Sequence, residues 1–276
     1  MLINGDKCLG DVRILDVGNK FGTMNTSAGF YPMKMTLEKR QASFLRKRKK
    51  LGKVNDYDYK KFFMADQTTQ DGSYCVLTPE LISEKDDGWL RDIPEDILII
   101  TKDTPGVVIG HPIADCPVII MNDKKHGATA LGHCSAEMVD IGLPMHIFYA
   151  LQKEFGTTSS DVKVYVSSCI SDKWEYDTYP KFANNKDVWA GAISEVHTLD
   201  RGTYYNIDIR KAVLKQLLGV GIRYSDMYWN MDDTLTDSNY YSNSGARLDS
   251  SKKGRNFAGV YYPLKEIDPV LIKRLK

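Results

Sequence analysis

Residues 106–121, GVVIGHPIADCPVIIM, and residues 128–134, ATALGHC, decide the fold. Both are short runs rich in β-branched residues, as is DILIIT at 96–101 before them. Pro, Gly and the polar stretch 122–127 punctuate these runs, which predicts strands rather than one buried helix. With 117–121 and 128–132 as the arms of an antiparallel hairpin, a symmetric register pairs 121 with 128 and 117 with 132. One further step pairs 116 with 133. Cys116 and His133 are therefore expected to face each other at the open end, Cβ atoms about 5 Å apart. At that distance a thiolate and an imidazole can share a metal, or the imidazole can deprotonate the thiol. A buried cysteine and a hydrogen-bonded structural histidine are the plainer alternative.

Working outward, Val12 to Val17 alternates as a strand, and a helix is expected over about 36–51. Its end, Arg46-Lys47-Arg48-Lys49-Lys50 before Gly52, suits a helix C-terminus, where cations complement the dipole. A further helix is expected over about 135–155, broken or kinked by Pro144, followed by a strand from Val162 to Ser167. Asp208 is a plausible N-cap for a helix whose Ile209, Val213, Leu214, Leu217 and Leu218 form one apolar stripe. Tyr224 to Tyr262 reads as short strands joined by long loops. Interleaved strands and helices predict an α/β (α+β) fold, a layered sandwich of mixed β-sheets flanked by helices, with residues 1–276 as a single domain.

Composition narrows the function. The 276 residues carry 37 Lys plus Arg against 36 Asp plus Glu, a net charge of about +1. Such a chain has no global field to recruit nucleic acid or an anionic membrane. No apolar run approaches the ~20 residues of a membrane span, and no signal-peptide pattern opens the sequence. Five cysteines at irregular spacing read as reduced thiols, so a cytoplasmic protein is expected.

The segment GVVIGHPIADCPVIIM followed by ATALGHC resembles the "TADC.PVLL" and "HAGWRG" motifs of the laccase-domain proteins, a YfiH-type family also called multicopper polyphenol oxidases and viewed as purine nucleoside phosphorylases. Val166 to Ile170 with Trp174-Glu175-Tyr176, Tyr205 to Val220, and Tyr240-Tyr241-Ser242 with Gly254-Arg255 are similar to further family segments. Order and spacing agree over about residues 60–262. The resemblance implies phosphorolysis or deamination of adenosine- or inosine-like nucleosides at a zinc site of one Cys and two His. Cys116 and His133 match two ligand positions. The third falls on Thr69 in Gln67-Thr68-Thr69-Gln70, a poor zinc ligand, which leaves His111 as a possible displaced one.

Other departures follow. Glu137 occupies the place of the "HAGWRG" arginine, and Ser244 and Gly245 occupy those of a paired-arginine motif. A carboxylate repels phosphate, so Arg247 or Arg255 is the candidate substitute, with Gln67, Thr69, Tyr241 and Ser242 as further candidate substrate contacts. Of the remaining residues, Cys134 is expected on the opposite strand face from His133, Cys169 in turn packing, His126 solvated in the hairpin turn, and His146 and His197 in helices. Five scattered histidines without a His-x-His pair do not build a multicopper oxidase.

Three functions are thus open. The first is a divergent purine nucleoside phosphorylase or deaminase with zinc, a nucleoside as small-molecule partner and phosphate as a candidate second one. The second is a catalytically degenerate scaffold that binds or supports. The third is a metal-free Cys-His deamidase or hydrolase.

Overall fold

The computed structural model describes residues 8–18, 46, 49, 56–67, 69–84 and 90–264. Two six-stranded sheets stack face to face. The first runs β1 (Cys8–Leu9), β2 (Val12–Val17), β15 (Asn256–Tyr261), β7 (Val108–Ile113), β3 (Phe62–Ala65), β5 (Leu90–Ile93). The second runs β14 (Met227–Trp229), β10 (Val162–Val166), β8 (Val118–Asp123), β9 (Ala128–His133), β6 (Ile97–Thr101), β4 (Tyr74–Val76). A three-stranded sheet, β11 (Glu175–Tyr176), β13 (Gly202–Ile207), β12 (Ile193–Thr198), lies apart from these two.

The two-residue period of a strand assigns the layers. In β8 and β9, Ile120 and Leu131 join Ile14, Phe63, Ile109 and Val260 of the first sheet in the core between the sheets. Their neighbours Met121 and Ala130 face the other way, against Ile147 and Leu151 of α3 (Leu143–Phe155) and Val213 and Leu217 of α5 (Ile209–Gly219). Because the second sheet is covered on both faces, its strands read as continuous apolar runs. Each fully buried Leu, Ile or Phe contributes roughly 1.5–3 kcal/mol. The expected sandwich is what forms.

Local signals explain the joints. Ser135 caps α2 (Ala136–Asp140), its hydroxyl accepting from Met138 N at 3.3 Å. The chain then turns at Gly142, whose φ of 91° suits glycine, and α3 starts with Pro144 in its first turn, where no N–H is needed. The expected helix is interrupted, at Ile141 and Gly142, just ahead of Pro144. Asp208 caps α5, accepting from Lys211 N at 2.9 Å. Val162–Val166 is the expected strand. The helix expected over 36–51 lies outside the described residues except Arg46 and Lys49, both helical. Among the described residues no helix is long and apolar enough to cross a membrane.

The hairpin register differs from expectation by two residues. Val118 pairs with His133 and Met121 with Ala130, so Cys116 is not opposite His133. The cause is that Asn122 and Asp123, read as turn residues, are fully buried strand residues. Asn122 donates to Leu9 O and accepts from Thr129 Oγ1, while Asp123 accepts from Thr157 Oγ1 and pairs with His126 Nδ1 at 2.6 Å. Satisfied in this way, both stay in the strand, and the turn shrinks to 124–127. His126 is accordingly bonded rather than merely solvated. His197 lies in β12, not in a helix.

One buried carboxylate ties the sheets together. Asp16 of β2 is fully buried and accepts from Tyr165 Oη (2.8 Å), Ser168 N (3.1 Å), Ser168 Oγ (3.2 Å) and Asn230 Nδ2 (2.8 Å), all from the side of the second sheet. Asp16→Ala strands these donors in a dry gap and is expected to cost about 3 kcal/mol or more, Tyr165→Phe about 1–2 kcal/mol. Urea unfolding of the two variants against wild type measures both losses.

Candidate active site

His111 shares its strand face with Ile109 and Ile113, and His133 shares its face with Leu131, so both imidazoles enter the gap between the sheets. There they stack, with ring centroids 4.1 Å apart and planes 8° from parallel. Gln67 grips His133 twice: its Nε2 donates to the His133 carbonyl at 2.6 Å and its Oε1 lies 2.8 Å from Nδ1. Because the amide nitrogen must face the carbonyl, Oε1 is the acceptor and Nδ1 carries the ring proton. Gln67 follows β3 with φ of 59°, a left-handed conformation that costs a non-glycine residue free energy. The turn beyond it is held by the buried Asp96 carboxylate, which accepts from the amides of Gln70, Asp71 and Gly72 at 3.2, 2.8 and 2.8 Å.

Cys116 sits in the bend before β8. The preceding Asp115, at φ 96°, is buried and fixed by Thr234 Oγ1 (2.9 Å) and Ser244 N (2.7 Å). Asp115, Cys116, Trp174, Tyr176, Phe182 and Ser244 are among the walls of a narrow, mostly apolar slot of about 70 Å³. Arg247 lies over the Trp174 ring at 5.8 Å. Beside it opens a cleft of about 260 Å³ lined by Ser242, Asn243, Arg247, Lys253 and Arg255. A larger depression, about 760 Å³, lies over the edge strand β4 and Glu154 and contains none of these residues.

The gap sets the protonation states. Burial pushes the Cys116 thiol up to about 12, and the Asp115 and Glu137 carboxylates push the same way against Arg255. His111 falls to about 4 through burial, against the carbonyls of Pro112 and Ala65. Burial, then the neighbouring His111 and Arg255, hold His133 well below the ordinary imidazole range. These shifts favour a protonated Cys116 thiol and neutral His111 and His133 rings near neutral pH. That is the opposite of the thiolate–imidazolium pair a Cys-His hydrolase needs.

Of the expected contacts, His133, His111 and Gln67 come together, and Arg255 is close enough to act electrostatically on both imidazoles and on Cys116. Thr69 does not join them: it is exposed and its hydroxyl pairs with Ser73 at 2.7 Å. Tyr241 packs over Gly254, and its amide donates to Asn256 Oδ1. Ser242 is buried, and its hydroxyl accepts from Gly245 N at 2.8 Å. Cys134 and Cys169 are buried in the helix-side core, as expected. Asp115, Trp174 and Tyr176 fall inside the motif-like segments without a role assigned there, and Phe182 and Lys253 fall outside them. The alternation Trp174-Glu175-Tyr176 was the one local signal for the slot.

The donors do not fit the zinc site that the resemblance implies. Lone pairs lie in the ring plane, so two stacked, near-parallel imidazoles aim theirs side by side and not at one point. His133 Nδ1 is in addition committed to Gln67. Among the described residues no three His, Cys, Asp or Glu side chains are disposed to hold a metal ion.

Two stacked sheets with flanking helices, His111 and His133 stacked in the gap and Cys116 in the bend before β8, define a laccase-domain fold. The chain matches the family described as multi-copper polyphenol oxidoreductase laccase over residues 28–262, and it belongs to that family. Similar solved structures include YlmD from Geobacillus stearothermophilus (TM-score 0.71, 16% identity, 92% of this chain and 93% of that one). The hypothetical protein YfiH from Bacillus licheniformis is also similar (TM-score 0.66, 16% identity, 91% and 92%), as is NMB0706 from Neisseria meningitidis (TM-score 0.66, 16% identity, 94% and 98%). No curated protein matches in sequence.

The raised thiol has a direct chemical consequence. Native Cys116 is expected to alkylate with iodoacetamide at pH 8 on the order of a hundredfold more slowly than the same residue in urea, because thiolate is scarce. The native rate should climb only as pH approaches 12 or the fold opens. Peptide mass spectrometry, with exposed Cys8 as internal comparison, reads this out, and fast native labelling would revive the thiol-hydrolase reading.

Proposed function

We propose that the protein binds purine nucleosides, with the base in the slot beside Cys116 and the sugar at its mouth near Ser244 and Arg247. The observation that carries this is the slot itself, mostly apolar and lined by the aromatic rings of Trp174, Tyr176 and Phe182, with the polar Asp115 and Ser244 among its lining. Planar heteroaromatic rings gain about 1–3 kcal/mol per stacked aromatic contact. Size decides how much of the ligand enters. Ordinary small-molecule pockets hold roughly 300–1,000 Å³. At about 70 Å³ the slot takes a ring edge-first and leaves the sugar outside.

Family membership supports a nucleoside reaction at this corner, but the groups on hand are weak catalysts. A neutral His133 with a strongly lowered proton affinity is a poor base, and the Cys116 thiol is a poor nucleophile. Turnover, whether phosphorolysis or deamination, is therefore expected to be slow. The parallel His111–His133 stack favours the second reading, a scaffold that keeps ligand binding and has lost the convergent metal donors.

Titration calorimetry with inosine and adenosine tests the binding. Trp174→Ala is expected to weaken either by about tenfold or more. Absence of binding at millimolar nucleoside would sink the proposal. Chromatography of the same mixtures, with and without phosphate, separates the two readings: released base or deaminated product marks an enzyme, and an unchanged ligand marks the scaffold.

A further inference from the structure

Charge is distributed unevenly across the two cavities. The slot end carries carboxylates: Asp115 lines it, and Asp115 and Glu137 both act on the Cys116 thiol. The adjoining cleft carries only cations, with Arg247, Lys253 and Arg255 on its walls and no carboxylate among its described lining residues. Neither Arg247 nor Lys253 forms an ion pair among the described residues. Both are exposed on the surface, with the Arg247 guanidinium against Trp174. A neutral nucleoside uses none of this charge. Free phosphate beside the base would lie against two carboxylates, which repel it.

Both cavities meet at one turn. Ser244 lines the slot, while Ser242, Ala246 and Arg247 line the cleft, so the mouth where the sugar would sit opens towards the cations. We propose that the cleft holds a phosphomonoester carried by the ligand itself, so that the ligand class is a nucleoside 5′-monophosphate, base in the slot and phosphate among Arg247, Lys253 and Arg255. This rests on the slot reading above and adds the anionic end. A phosphomonoester brings about −1.5 to −2 charges at neutral pH and three acceptor oxygens, which match guanidinium and ammonium donors. The cleft is wide enough at about 260 Å³ to admit it with its water.

The test is calorimetry at about 50 mM salt with inosine 5′-monophosphate, inosine, inorganic phosphate and ribose 5-phosphate. The monophosphate is expected to bind about tenfold or more tightly than inosine. That ratio should shrink several-fold in Lys253→Met, further in Lys253→Glu, and at about 300 mM salt, where screening is stronger. Lys253 is exposed, so neither variant threatens the fold. Inosine and its monophosphate binding equally would overturn the phosphate assignment alone and leave the slot intact. Inosine and free phosphate each strengthening the other, with no gain for the monophosphate, would also overturn it by making the cleft a second-substrate site. Ribose 5-phosphate binding while inosine and its monophosphate do not would overturn the slot reading, and this inference with it.

Discussion

A second sheet covered on both faces leaves its polar groups no water, so each must find a partner inside the protein. Asp16 meets that demand at one crossing between the sheets, with Tyr165, Ser168 and Asn230 around it. The Asn122–Thr129–Tyr262 chain meets it at another: Thr129 Oγ1 bonds Asn122 Oδ1 at 3.1 Å and the Tyr262 hydroxyl at 2.9 Å. These contacts join residues far apart in sequence, which makes them specifying as well as stabilising. A register slip of β8 against β9 would leave Asn122 and Asp123 facing no donor or acceptor.

Burial acts on the stacked imidazoles as well. His111 and His133 are half-buried between the sheets, and the lost hydration lowers the proton affinity of both rings, which favours their neutral forms. Stacking costs two neutral rings little, whereas two imidazolium ions at 4.1 Å would repel strongly. The geometry and the protonation state therefore support each other. Gln67 adds direction by fixing the His133 tautomer, and Asp96 holds the turn from which Gln67 reaches.

How much of this was legible in the sequence depended on range. Caps and breaks were: Asp208, the break just ahead of Pro144 and the β-branched runs are decided within a few residues. The hairpin turn differs because Asn and Asp are turn residues by default, and Thr129 across the hairpin together with the distant Leu9 and Thr157 makes 122 and 123 strand. The parity of the face survived, because a two-residue shift returns each side chain to the same side. His111 was placed next to the site on weak grounds. Its stack on His133 depends on how two sheets oppose each other, which no local pattern encodes. The slot follows the same logic: Trp174, Tyr176 and Phe182 come from β11 and its flanks, which become a wall only when Asp115 and Ser244 close the other side.

The departures from the family motif become coherent once charge is followed rather than residue identity. Glu137 where the motif has arginine adds a negative charge near Cys116, and this raises the thiol together with Asp115. Ser244, where a paired arginine is expected, brings no side-chain charge, and only its backbone amide donates to Asp115, at 2.7 Å. That bond satisfies the carboxylate without neutralising it. Both changes make the base end of the site more negative. The cations have not vanished from this region: Arg247, Lys253 and Arg255 gather a few residues further along the chain, with Arg247 over the Trp174 ring. Repulsion at one end and attraction at the other orient any dipolar ligand before it makes a single close contact. A site with that polarity suits a ligand with an apolar part at one end and an anionic part at the other.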